Sequence, residues 1–266
     1  MWGAASLELI TSRHNALVKE ARSLRRGGGG RKSGLFLVEG IHLVGAALEA
    51  GWPLELVLYS GKLLTSEYGR LLVARLGSSA EEVSAPILES IAGKDNPQGI
   101  IGIARRRPIV LDALPVSAYG VALTSPQDPG NLGTIIRTLE AVGGSALMVL
   151  EGGVDPFHPT AVRAGMGASF VVPIVEAGFG EFDTWRRARG AQLIGSSAHA
   201  STDFREIQPV LPWILLLGNE QKGLSGGQLR ACDAVANLPM RGRASSLNLA
   251  VAAGILLYRY ASPMPG

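Results

Sequence analysis

Three stretches of this chain combine glycine, asparagine, carboxylate, arginine and serine in a way that a packed core does not require. The first, Ser125-Pro-Gln-Asp-Pro-Gly-Asn-Leu-Gly133, follows an apolar strand and opens a helix carrying Arg137. Its prolines and glycines fix an open path with backbone amides at a helix start, a natural place for an anion or polar ligand. The Lys-Ser/Thr of a Walker loop and the GxGxxG of a dinucleotide fold are both missing. Arg137 lies nearly two turns beyond Asn131, among apolar Ile135, Ile136 and Leu139. An ordinary loop-to-helix connection with a surface arginine is the bland alternative. The second stretch is Leu215-Leu-Leu-Gly-Asn-Glu-Gln-Lys-Gly-Leu-Ser225. Its leucines read as a buried strand end, and Glu220 is costly there unless it is paired or functional. A turn capped by Asn219 and Glu220 is equally compatible. The third is Leu238-Pro-Met-Arg-Gly-Arg-Ala-Ser-Ser-Leu-Asn248, leading into an apolar helix. Ser245 or Ser246 can cap that helix. Asn248 is harder to place, because it forms helix poorly and a buried amide needs partners.

These stretches sit in an alternating pattern. Strand 121–124, helix 131–142, strand 146–150, helix 159–168, strand 171–175 and helix 182–189 are followed by strands 192–195 and 213–217. A helix near 225–231, strand 234–238 and helix 247–260 complete the pattern. Such alternation implies a mostly parallel sheet covered on both faces, with ligands at the carboxyl ends of strands. The first hundred residues form a smaller α/β unit: a basic helix from about residue 12, a glycine run at 27–30, then strands 35–38, 54–60 and 99–104 among short helices. Arg105-Arg106-Arg107-Pro108 breaks the pattern, which predicts a domain at 1–105, a linker at 106–117 and a second domain at 118–266.

Composition narrows the class. The 266 residues are 47% hydrophobic and 18% charged, enough for a real core and unlike a disordered chain. The longest charge-free runs, 113–127 and 244–258, have 15 residues each, short of the roughly 20 that span a bilayer. No secretory signal is read at the N-terminus, so a cytoplasmic protein without a membrane span is expected. Cys232 is the only cysteine, and His14, His42, His158 and His199 lack ligand spacing, so no metal is expected. Net charge is only +3, but residues 1–32 hold seven basic side chains against two acidic ones. Arginine, which grips phosphates in a bidentate fork, dominates that segment. It is therefore either a footprint for nucleic acid or a solvated helix face.

In this order the three stretches resemble the signature motifs of the SpoU or TrmH family of RNA 2′-O-ribose methyltransferases, in the SPOUT superfamily. The matching residues are Asn131-x-Gly133-x-x-x-Arg137, Leu217-Gly218-Asn219-Glu220-x-x-Gly223, and Pro239-Met240 with Ser246-Leu247-Asn248. The first hundred residues resemble the ribosomal-protein-L30e-like substrate-binding domain that often precedes this catalytic domain. The resemblance implies an α/β fold with a deep C-terminal trefoil knot, where elementary topology rules alone predict an unknotted doubly wound sheet. It implies S-adenosylmethionine held by Ser196, Leu217, Gly218, Asn219, Leu238, Met240 and Leu247. Gly218 is read as letting backbone approach the cofactor. Arg137, Asn131, Glu220, Ser246 and Asn248 are implied as the catalytic set, with Arg137 either the base or the group that orients the ribose. A homodimer completing each site across its interface is implied as well. Arg13, Arg22, Arg25, Arg26, Arg31 and Arg241 are the expected RNA contacts. Ribosomal RNA is the expected substrate; transfer RNA, a base-nitrogen methyltransferase and a non-catalytic RNA-binding relative are the alternatives. A dinucleotide-dependent oxidoreductase is opposed by the missing GxGxxG.

Overall fold

The structure, a computed structural model, describes residues 9–27, 30–93, 97–114 and 119–261, so parts of the glycine run and of the expected linker lie outside the described residues. Contacts divide the chain into two units. The first is Met1–Arg107 with Phe157–Phe170, and the second is Pro108–Pro156 with Val171–Gly266.

In the first unit, α1 (Ala16–Arg25) begins where the Asn15 side chain accepts a hydrogen bond from Leu17 N. It buries Val18, Ala21 and Leu24 along one face, and its last turn carries Arg22 and Arg25, where the exposed carbonyls favour cations. The chain continues through α2 (Gly30–Ser33), β1 (Leu35–Glu39), α3 (Ile41–Glu49), β2 (Leu54–Tyr59), α4 (Glu67–Leu76), β3 (Ala80–Glu82), α5 (Ala85–Ile91) and β4 (Ile100–Arg105). Strand order is β1-β4-β2-β3, with β4 antiparallel to both neighbours and β3 parallel to β2. Side chains alternate across β1. Leu35 and Leu37 join the core that α1 and α5 cover, whereas Phe36 enters an aromatic cluster with Trp52, Phe157 and Phe170. Trp52 Nε1 donates to Phe170 O at 2.8 Å. The segment Phe157–Phe170, which chain order places inside the expected second domain at 118–266, therefore belongs to this core.

The second unit holds β5 (Tyr119–Thr124), α6 (Pro129–Ala141) and β6 (Ala146–Leu150). After the excursion that carries α7 (Pro159–Gly165), it continues with β7 (Ile174–Ala177), α8 (Phe179–Ala188), β8 (Gln192–Ser196), β9 (Thr202–Asp203), β10 (Trp213–Leu217), α9 (Gly226–Ala231), β11 (Ala234–Asn237) and α10 (Leu249–Tyr260). All its strand pairs are parallel, in the order β7-β6-β5-β10-β8-β11-β9. The central strand β10 is buried along its whole length, as a parallel strand covered on both faces must be. The two-residue strand β9 and the single helical turn α2 are too short to show a period in sequence.

Arg186 of α8 is 3% exposed. It donates to Asp183 and Asp233 at 2.8 Å each and to the carbonyls of Ala191 and Ala231. Arg186→Met strands those acceptors and is expected to cost about 3 kcal/mol, read as a lower urea midpoint at unchanged slope. Burial raises the Asp183 carboxyl, but hydrogen bonds from Arg187 and Arg186 outweigh this and hold it below the usual carboxylate range. Its contribution is thus complete above an unfolded-state value of about 3.9 and is lost as pH falls through the lower folded value.

Candidate functional site

The three loops flagged in the sequence meet at the carboxyl ends of the central strands, and one carboxylate joins them. Glu220 follows β10; its Oε2 accepts from Gln127 N at 3.0 Å, and its Oε1 accepts from Asp128 N at 3.2 Å and Asn131 Nδ2 at 3.4 Å. Asn131 Oδ1 in turn accepts from Asn248 Nδ2 at 2.9 Å. Asn248 Oδ1 then accepts from Ala250 N and Val251 N, which starts α10. Asn219 adds a second tie: its Nδ2 donates to Ser125 O at 2.8 Å while its Oδ1 accepts from Gln221 N and Lys222 N. Asp128 caps α6 by accepting from Asn131 N at 2.7 Å. Ser125 itself sits at φ 45°, a left-handed backbone uncommon for serine, where the chain leaves β5.

This geometry corrects two readings and gives a third a further reason. The amides of the 125–133 loop do receive an anion, but that anion is the protein's own Glu220. Asn248 is the cap of α10 rather than a residue within it, and neither Ser245 nor Ser246 caps that helix, which begins at Leu249. Gly218 is required by the protein itself, because a Cβ there would lie 2.2 Å from Gly223 C and 2.4 Å from Leu224 N. It admits the returning backbone of its own loop.

Beside this network opens a cleft of about 870 Å³, within the size range of small-molecule sites. Asn131, Ser196, Leu217, Gly218, Asn219 and Glu220 line it, as do Leu238, Met240, Ser246, Leu247 and Asn248. Eleven of the twelve residues expected in the catalytic and cofactor sets are thereby brought together. Arg137 is the exception: it is exposed on α6, does not line the cleft, and has no hydrogen-bond or ion-pair partner among the described residues. The cleft also takes in Gln127, His199 and Lys222, which the sequence reading left out. His199 lies three residues past the end of β8, so the strand-end rule that found Ser196 reaches it when the following loop is included.

Of the expected RNA contacts, Arg13, Arg25, Arg26 and Arg31 are exposed in the first unit and Arg22 is half-buried. Arg241 is exposed in the second unit. There, after the hydrogen bonds from Arg205, its charge helps hold the Asp203 carboxyl down to about 2. Among the described residues no helix is long and apolar enough to cross a membrane, and no group of three or more His, Cys, Asp and Glu can hold a metal ion.

Comparison with known proteins gives two matched stretches, the second of which includes the Phe157–Phe170 segment that packs in the first unit. Residues 119–258, which contain the whole cleft, match the model of the SpoU rRNA Methylase family. The chain belongs to that family. Residues 15–102 match the MRM3-like substrate binding domain. This SpoU methylase is 34% identical over 236 residues to a 23S rRNA (uridine(2479)-2'-O)-methyltransferase of Streptomyces viridochromogenes, covering 85% of this chain and 82% of the relative. It is 28% identical over 253 residues to the 23S rRNA (guanosine(2553)-2'-O)-methyltransferase RlmP of Bacillus subtilis, covering 95% and 98%. An AdoMet-bound rRNA methyltransferase from Sinorhizobium meliloti matches the SpoU methylase chain with a TM-score of 0.85 at 38% identity, covering 95% of this chain and 96% of that one.

Proposed function

We propose that this SpoU-family chain is an S-adenosylmethionine-dependent methyltransferase that modifies a ribose 2′-hydroxyl in ribosomal RNA and acts in the cytoplasm as a knotted homodimer. The observation that carries this reading is the convergence of three distant loops, through Glu220, Asn131 and Asn248, on one cleft of mixed polarity. The cleft fits the cofactor. Leu238, Met240 and Leu247 would hold the adenine, and Ser196 with the chain at 217–220 would hold the polar remainder. When bound, S-adenosylmethionine supplies a methyl group activated on a sulfonium.

The chain's own residues must then handle a poor nucleophile. The ribose hydroxyl loses its proton as the oxygen–carbon bond forms and the carbon–sulfur bond breaks. Arginine stays protonated, so Arg137 does not act as the base. It grips the substrate phosphate and polarises the hydroxyl, and the proton passes to a neighbouring group or to that phosphate. Ser246 and Asn248 place the ribose, while Asn131 and Glu220 hold the loops.

The position of Arg137 supports the dimer. It rises from α6, which packs on α10, where Thr138 Cγ2 lies 3.9 Å from the point a Cβ on Gly254 would occupy. On α10, Val251, Ile255 and Tyr258 recur at helical spacing yet are 50%, 39% and 63% exposed. A stripe of this kind is characteristic of a surface that pairs. A second copy seated there would bring its Arg137 to the cleft. In this reading the tail is threaded before α10 returns to lie against α6 and β10, and the first unit holds RNA through Arg13, Arg22, Arg25, Arg26 and Arg31, with Arg241 adding a contact next to cleft-lining Met240.

The test is methyl transfer from labelled S-adenosylmethionine to unmodified 23S, 16S and transfer RNA transcripts, with the product mapped as ribose methylation. Label on a ribose of 23S or 16S RNA is expected. Label on transfer RNA alone would change the substrate, and a protein that binds RNA without transferring label would be the non-catalytic relative.

A further inference from the structure

We propose that Lys222 binds the carboxylate at the methionine end of S-adenosylmethionine and so selects a donor that carries it. The inference deepens the cofactor reading above and rests on it.

Four titratable side chains line the cleft: Asp128, His199, Glu220 and Lys222. The two carboxylates already have donors. Asp128 accepts from Asn131 N at 2.7 Å, and Glu220 accepts from Gln127 N, Asp128 N and Asn131 Nδ2. Lys222 is exposed, and its ammonium has no hydrogen-bond or ion-pair partner among the described residues. It is also the only lysine or arginine of those residues that lines the cleft. Its backbone, by contrast, is fixed. Lys222 N donates to Asn219 Oδ1 at 3.1 Å beside Gln221 N at 3.0 Å, and Gly223 N closes the turn on Asn219 O at 2.9 Å. The stem therefore starts from a set point beyond the carboxyl end of β10, and its four carbons let the ammonium meet a ligand.

The methyl donor is a net cation. Its sulfonium and its α-ammonium are positive and only its carboxylate is negative, so a lysine on the cleft wall repels the molecule unless it meets that carboxylate. In the reading above the adenine lies against Leu238, Met240 and Leu247, all on the third loop. Lys222 belongs to the loop after β10, where the chain at 217–220 takes the polar remainder. The ammonium is thus at the end of the cleft where the carboxylate belongs, and a charge-assisted hydrogen bond between them offsets the repulsion. The same lysine disfavours analogues without the carboxylate, which meet its charge uncompensated.

The experiment is calorimetry of the full-length protein with two probes, S-adenosylmethionine and its decarboxylated form, which keeps the adenosine, sulfonium and amine. Wild type is expected to prefer S-adenosylmethionine by about three- to tenfold, the range for one partly exposed charged hydrogen bond. Lys222→Met is expected to lose that factor for S-adenosylmethionine and to bind the decarboxylated form at least as tightly as wild type, so the preference disappears. Lys222→Arg is expected to keep it and Lys222→Glu to reverse it. The melting temperature of Lys222→Met is expected to match wild type, because the substitution leaves the backbone bond to Asn219 in place. Equal affinity of wild type for both probes would overturn the proposal, as would equal losses for both in Lys222→Met, the mark of a structural role. Unchanged affinity of Lys222→Met for S-adenosylmethionine would overturn it too, and weaker binding of a 23S rRNA transcript by that variant would then give the ammonium to an RNA phosphate. A wild-type protein that binds neither probe would overturn the cofactor reading as well.

Discussion

The Arg137→Ala protein will bind S-adenosylmethionine as tightly as wild type and turn over RNA about a hundred to a thousand times more slowly, the usual loss when one preorganised donor to a reacting centre is removed. Unchanged cofactor affinity is expected because the guanidinium grips the RNA phosphate, and the residues that would hold the cofactor, among them Ser196, Leu238, Met240 and Leu247, are left intact. Arg137→Lys will recover little, since a point charge does not reproduce a two-pronged grip. A mixing experiment then decides which cleft the guanidinium serves. Arg137→Ala is refolded with a second variant, Ser196→Phe, whose cleft is filled. If the arginine crosses to its partner, half the dimers are hybrids with one intact site each, and activity returns to about a quarter of wild type. If it serves its own chain, the mixture stays as inactive as its components. Measured turnover of the mixture distinguishes the two without any new structure.

Gly218→Ala will be the most destabilising conservative substitution in the site. The added carbon meets Gly223 C at 2.2 Å and Leu224 N at 2.4 Å, and backbone cannot rotate aside as a side-chain tip can. A cost of about 3 kcal/mol or more is expected, which lowers the melting temperature by about 6 to 12 °C in a chain of this size. Cofactor affinity falls with it, because the loop carrying Glu220 has to open. Gly223→Ala provides the contrast. Its φ is +65° but nothing lies within 4 Å of the added carbon, so only the left-handed backbone is penalised, at about 1 kcal/mol. Equal melting temperatures for the two variants would refute the crowding argument.

What could be read in advance follows the range over which each residue is determined. The run Leu215–Leu217 announces a buried parallel strand because its surroundings on both faces are apolar, and the three-residue spacing of Val18, Ala21 and Leu24 announces one covered helix face. Local chemistry suffices there. Asn248 was visible as an anomaly, but its reason was not, since the partner of its amide, Asn131, lies 117 residues away and no periodicity encodes such a pairing. At Gly218 a missing side chain signals close approach without saying that Gly223 and Leu224 are among what approaches. The placement of Arg137 outside its own cleft is likewise invisible in sequence, where adjacency to Asn131 suggests company in space. Phe157 and Phe170 read as core residues whichever core receives them, so chain order assigned them to their neighbours.

That last assignment matters during synthesis. The first unit has all its strands once Arg105 is made, yet Phe36 and Trp52 wait for ring partners that are translated tens of residues later. At ordinary elongation rates of about 5 to 20 residues per second, the delay is about 3 to 13 s. A nascent chain stalled between the two points would display a bare aromatic pocket, open to chaperones or to a neighbouring polysome, and the two units would be inherited as a single biosynthetic module instead of separable cassettes.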